Sequence, residues 1–179
     1  GFVLMVVLGA LFINTFLFRT FAVTGPSMEP TFYTADRVLV NRLYHTASYF
    51  TRQQYIPDRG QVIVFENPLF RPGRAEQHVV KRVIGLPGER VIVGNGRITV
   101  FNRQHPEGFN PDEGIDGPKS PTTGSIETDV PNDEIFVAGD NRVGNFSLDS
   151  RNGMGTVPLY NIVGPVELQF FPFNQLRLF

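Results

Sequence analysis

The chain opens on an unbroken apolar run and then, after residue 20, breaks into short stretches of Val, Ile, Phe and Tyr spaced by Gly, Pro, Asn and Asp. The opening run, GFVLMVVLGALFINTFLF, has only Asn14 and Thr15 as polar side chains and no charge before Arg19. Eighteen residues rising about 1.5 Å each reach roughly 27 Å, close to the ~30 Å hydrocarbon core of a bilayer. Residues 1–19 are therefore predicted to form a transmembrane helix. Two other readings of the run exist. A cleaved secretory signal would end in small residues, whereas the boundary here is Phe16, Leu17, Phe18 and Arg19. A buried core helix would carry a polar stripe. Because the first residue is Gly1 rather than methionine, the expectation is that the helix begins further upstream.

Beyond residue 20 the alternating runs predict strands at 21–24, 37–43, 61–67, 78–86, 90–101, 134–140 and 162–171. Asn95-Gly96 lies between two apolar halves and predicts a hairpin. No helical crossover separates most of these runs, so the sheet is expected to be largely antiparallel. Residues 102–133 break the pattern, with five prolines, four glycines and seven acids against two bases. Such a stretch buries little apolar area, and a surface insertion over about 93–133 is predicted. The fold class is thus mainly β: a membrane helix over 1–19, then an antiparallel β domain over 20–179 with a loop-rich insertion.

Composition narrows the chemistry. In 179 residues there is no cysteine, and the net charge is −1 with no basic block. Disulfides, thiolate metal sites and cysteine nucleophiles are excluded, and nucleic acid is an unsuited partner. His45, His78 and His105 are far apart and form no ligand motif; no metal and no cofactor is implied.

Three places carry candidate chemistry. In TGPSMEPTF, residues 24–32, Pro26 fixes its own φ and Pro30 disfavours α conformation at Glu29, so Ser27 sits in a constrained loop beside the permissive Gly25. Gly-Pro-Ser is also ordinary turn vocabulary. A serine nucleophile needs a base, and of the two lysines Lys119 lies in the acidic segment while Lys81 lies inside the apolar run HVVKRVIGL. On a strand Lys81 shares a face with Val79 and Val83, and Arg82 points the other way with Val80 and Ile84. An apolar face disfavours the ammonium and lowers its pKa; snorkelling to a sheet edge is the structural alternative. Third, GDNRVGNFSLDSR, residues 139–151, is a polar loop in which Asp140, Arg142, Asp149 and Arg151 can form ion pairs.

Taken in order, GPSMEPTF, DRVLVNR, RGQVIVF with VVKRVIGLPGE, and GDNR with SLDSR resemble the conserved boxes of the type I signal peptidases. The resemblance spans residue 19 to about 166. It implies a membrane-bound Ser-Lys endopeptidase that removes signal peptides from secreted preproteins, cutting after small residues, on a fold shared with LexA-like proteases. By position, Ser27 is the nucleophile, Lys81 its general base, and Ser147 the hydroxyl that orients the lysine. Asp140, Arg142, Asp149 and Arg151 brace the site. Phe21, Val23, Met28, Phe32, Val79 and Val80 are the candidate substrate-pocket residues, and the Ser27 amide meets the oxyanion. Two departures stand out: Gly25 occupies a position where many members carry a hydroxyl oxyanion donor, and four residues, not two, separate GDNR from Ser147.

The implied partners are signal peptides, the lipid bilayer and, by proximity, the secretion translocon. The implied location is the plasma membrane with the catalytic domain on its extracytoplasmic face, or an organellar membrane. Two alternatives stay open: a self-cleaving protease of the LexA type, and an anchored β domain that binds partners without catalysis.

Overall fold

The computed structural model describes residues 1–73 and 75–179. Helix α1 (Phe2–Phe12) runs into a π turn (Ile13–Leu17), and strand β1 (Phe18–Ala22) follows at once. Then come β2 (Arg37–Asn41), α2 (Leu43–Thr51), β3 (Val62–Glu66), β4 (His78–Gly85), β5 (Arg90–Gly94) and β6 (Arg97–Phe101). The chain continues with β7 (Ile126–Asp129), β8 (Glu134–Ala138), β9 (Val157–Pro158), β10 (Ile162–Phe171) and β11 (Arg177–Leu178).

One sheet has the strand order β1-β2-β10-β3-β4-β8-β9, with β11 also on β10; a second has the order β6-β5-β7. Their pairings are antiparallel, as the short spacings predict. Buried faces follow the period of two: Val38 and Val40 on β2, Val91 and Val93 on β5, Ile98 and Val100 on β6. The long β10 crosses both halves of the large sheet and joins the cluster around Met28 and Phe32 to the cluster around Ile63 and Phe65.

Three expectations are corrected. The transmembrane helix predicted over 1–19 is not supported: no helix of the described residues is long and apolar enough to cross a membrane. The α-helix has 11 residues, all exposed where described, and gives way to the π turn over Ile13–Leu17. The helical run ends at Leu17, where Phe18 and Arg19 enter the sheet opposite Asn41 and Val40. The run 37–43 is a strand only to Asn41; from Leu43 the chain forms α2, whose aromatic and β-branched composition hides its helical period.

The predicted insertion over about 93–133 is not all surface either. It begins within the β5–β6 hairpin, includes β7, and contributes Ile98, Val100 and Val130 to a core with Ile84 and Phe136. The apolar positions are few but fall on one face.

Candidate active site

The Ser27 loop is shaped by short-range bonds. Gly25 has a φ of 81°, a region glycine occupies without strain, and its amide donates to Thr34 Oγ1 at 3.1 Å. The Glu29 amide closes a turn on the Pro26 carbonyl at 3.1 Å. Asn141 grips the loop from the other side, its amide donating to the Ser27 carbonyl at 3.1 Å and its Nδ2 to the Pro26 carbonyl at 3.1 Å. Met28 and Phe32 are buried beneath. The half-buried Ser27 thus rests on a packed base, and no acceptor among the described residues takes its amide.

Lys81 arrives from the middle of β4, opposite Ile63 of β3. It is 4% exposed. Its Nζ lies 2.9 Å from Ser27 Oγ and donates to the Val80 carbonyl at 2.8 Å. Burial penalises the ammonium and lowers the pKa from 10.5 to about 8, while the carboxylates of Asp149 and Glu76 pull the other way. A neutral amine, able to accept the hydroxyl proton of Ser27, is therefore accessible near neutral pH.

The 139–151 loop closes around this pair. Ser147 is fully buried, and its hydroxyl donates to Asp149 Oδ2 at 2.6 Å rather than to Lys81. Asp149 also accepts from the Gly139 amide at 2.8 Å and from Arg151 Nη2 and Nε at 2.7 and 3.0 Å. Ser147 is thereby oriented by Asp149, which in turn acts on Lys81 through its charge. Asp149 and Arg151 form the local pair expected of this loop. Asp140 and Arg142 do not pair with each other: Asp140 takes Arg82 Nε at 2.7 Å and Nη2 at 2.5 Å, and Arg142 reaches Asp112.

A cleft beside Ser27 is lined by Ala22, Val23, Thr24, Met28, Glu76, His78, Val79, Val80 and Lys81. Of the six expected pocket residues, Val23, Met28, Val79 and Val80 line it. Phe32 does not: it is 0% exposed and packs its ring on Phe179 at 4.8 Å. Phe21 does not line it either: half-buried on β1, it packs against the Met28 and Phe32 cluster, with His78 at 5.2 Å and the Arg19 guanidinium over its ring at 5.1 Å.

Sequence reasoning passed over Arg82, Thr31, Asn141, Gly139 and Asp112. Arg82 carried a usable signal, since a second charge on the opposite face of a buried strand must find a counter-ion. Thr31 donates to Asp140 Oδ2 from the turn after Ser27. Gly139 is required by close approach: a Cβ there would run into the Ser147 hydroxyl and the Ser27 carbonyl.

Residues 1–171 match the family described as signal peptidase, peptidase S26. The chain belongs to that family. It is 35% identical to a signal peptidase I of Bacillus amyloliquefaciens over 181 residues, covering 98% of this chain and 88% of the relative. It is 32% identical to signal peptidase I S of Bacillus subtilis (strain 168), covering 98% and 89%. A solved signal peptidase I from Enterococcus faecalis V583 is 26% identical, with 63% of this chain and 98% of that chain covered at a TM-score of 0.43. The resemblance carried by the four sequence boxes is borne out, and this member of the signal peptidase family is a peptidase, a hydrolase.

Proposed function

We propose that the chain is a membrane-associated serine endopeptidase that removes signal peptides from preproteins, with Ser27 as nucleophile and Lys81 as general base. The observation that carries this reading is the 2.9 Å approach of a buried amine to a loop-presented hydroxyl. Ser27 Oγ attacks the scissile carbonyl carbon while its proton passes to Lys81 Nζ, and the oxyanion accepts the Ser27 amide. Collapse breaks the C–N bond, and the Lys81 ammonium returns the proton to the leaving amine. Water, giving its proton to Lys81, then attacks the Ser27 ester, and the acyl half leaves as a carboxylic acid while Ser27 regains its hydroxyl. Ser147, Asp149 and Arg151 hold the lysine's surroundings, and Asp140 and Arg142 hold the loop that grips Ser27.

Two open edges support an extended substrate. Strand β1 pairs with β2 alone, and His78–Lys81 pair with β3 while β8 joins β4 only from Arg82 onward. A peptide laid between them gains main-chain hydrogen bonds and faces Val23, Met28, Val79 and Val80. Those walls leave room for small side chains. Residues 1–19, apolar and exposed where described along α1, are the membrane-facing end in this reading. Residues 20–179 form the extracytoplasmic catalytic part beside the translocon.

The purified chain, mixed with a preprotein in trans, is expected to release a mature N-terminus directly after a small residue, while remaining full length itself. Mass spectrometry of both products decides this. Replacing the residue before the cut by Leu should lower kcat/KM by about 100-fold, since a filled pocket rejects added bulk steeply. No cleavage, or cleavage indifferent to that residue, would contradict the reading; loss of the chain's own length in place of the substrate's would favour the self-cleaving alternative.

The pKa of Lys81 sets the pH profile. Only the neutral amine accepts a proton, so kcat/KM should rise about tenfold per pH unit below the pKa and level off above about 8. A rise continuing to 10.5 would mean a solvated lysine.

A further inference from the structure

The segment between β6 and β7 looks dispensable by composition, yet part of it is threaded into the support of the catalytic loop. Asp112 presents both carboxylate oxygens to Arg142, whose Nη1 donates to Oδ2 at 2.6 Å and Nη2 to Oδ1 at 2.7 Å. Arg142 is 0% exposed, so water offers its guanidinium no alternative partner. Nη1 also donates to Thr122 Oγ1 at 3.3 Å. The Thr123 amide and hydroxyl each donate to the Arg142 carbonyl at 3.0 Å.

The same guanidinium faces inward. Arg142 Nε donates to the Gly139 carbonyl at 2.8 Å, and Gly139 lies hard against the Ser27 carbonyl and the Ser147 hydroxyl. Two more contacts seat the segment: Ile115 packs on Gly60, and Gly117 lies so close to the Arg82–Asp140 pair that a Cβ there would collide with it.

We propose that residues 110–123 act as a clasp on the catalytic loop, with Asp112 as a positioning residue that acts on Ser27 through Arg142 and Gly139; this rests on the reading of Ser27 and Lys81 as the reacting pair. The bidentate carboxylate fixes the plane of the guanidinium and with it the direction of the Nε–H that holds Gly139. Without Asp112 a buried cation turns toward other acceptors, the Gly139 carbonyl is released, and the main chain against which Ser27 rests loosens. Misplacement of a nucleophile by a fraction of an ångström acts on turnover. The cleft walls Val79 and Val80 belong to β4 and Val23 precedes the Ser27 turn, so most of the substrate-binding wall is left in place.

The test compares Asp112→Ala, Asp112→Asn and Asp116→Ala on one preprotein peptide, with thermal unfolding measured beside kinetics. Asp112→Ala should lower kcat by roughly 10- to 100-fold with KM within about twofold of wild type. Asp112→Asn, which keeps the volume and one acceptor oxygen, should fall between. Asp116→Ala should keep wild-type kcat, because that carboxylate pairs only with the exposed Lys119 and Arg177. In an Arg142→Ala background, adding Asp112→Ala should change kcat no further. The clasp is overturned if Asp112→Ala and Asp112→Asn both keep wild-type kcat well below their unfolding temperatures, if only KM changes, or if the two losses add in the double variant. Wild-type cleavage that survives Ser27→Ala would instead sink the Ser27–Lys81 reading.

Discussion

Lys81→Met will lose about 10⁴-fold or more in kcat/KM and, at pH 7, unfold at a higher denaturant concentration than the wild type. The first effect follows from removing the only group within proton-transfer distance of Ser27 Oγ among the described hydrogen bonds. The second follows from what burial costs the lysine. Its pKa is 10.5 in an unfolded chain and about 8 in the native one. Between those values the unfolded chain binds a proton that the native chain refuses, so native stability falls as pH drops from 10.5 to about 8 and stays level below. The difference amounts to something of order 3 kcal/mol at pH 7. The thioether gives up the bonds to Ser27 and Val80, worth about 1 kcal/mol each, which leaves a net gain of roughly 1 kcal/mol. That gain should shrink to nothing or reverse by pH 10.5. Urea midpoints at both pH values, with activity assayed in parallel, check it. An active variant would remove Lys81 from the chemistry, and a variant weaker than wild type at pH 7 would contradict the cost of its burial.

The parts of the molecule legible in the sequence are those where one local pattern suffices. Val38 and Val40, Val91 and Val93, and Ile98 and Val100 alternate cleanly, so their strands and the Asn95-Gly96 hairpin could be read directly. Lys81 stood out as the one lysine in an apolar run, and Ser27 as a serine between two prolines. Neither was decisive alone; their order with the later boxes made the assignment. An apolar run does not show where the backbone leaves the helix, a point set by Asn41 and Val40, over twenty residues downstream. Phe32 was misplaced for the same long-range reason, whereas the bond that orients Ser147 is local. Ser147 turns to Asp149 two residues away, and Phe32 is claimed by Phe179 at the far end of the chain. Long-range partners such as Arg82–Asp140 and Asp112–Arg142 leave no periodic trace.

The first of those pairs carries the largest structural effect. Arg82 and Asp140 are 5% and 1% exposed, meet through two parallel bonds of 2.7 and 2.5 Å, and receive the Thr31 hydroxyl on the same carboxylate. Asp140→Ala strands the guanidinium with the Gly60 carbonyl at 2.7 Å as its remaining bond. An uncompensated buried charge costs about 3 to 5 kcal/mol, which for a chain of this size lowers Tm by roughly 6 to 20 °C. Activity should fall with it, because Asn141, the next residue, is what holds the Ser27 and Pro26 carbonyls. The double variant Arg82→Met/Asp140→Leu separates the two consequences. Replacing both charges with apolar groups of similar volume removes the stranded cation and should restore most of the lost Tm. The Thr31 hydroxyl, however, would still lack its acceptor and the loop its anchor, so kcat should stay low. Recovery of both together would mean that the pair serves only stability, and recovery of neither would mean that the site cannot be repacked around apolar side chains, making the pair's shape as well as its charge necessary to the loop that presents Ser27.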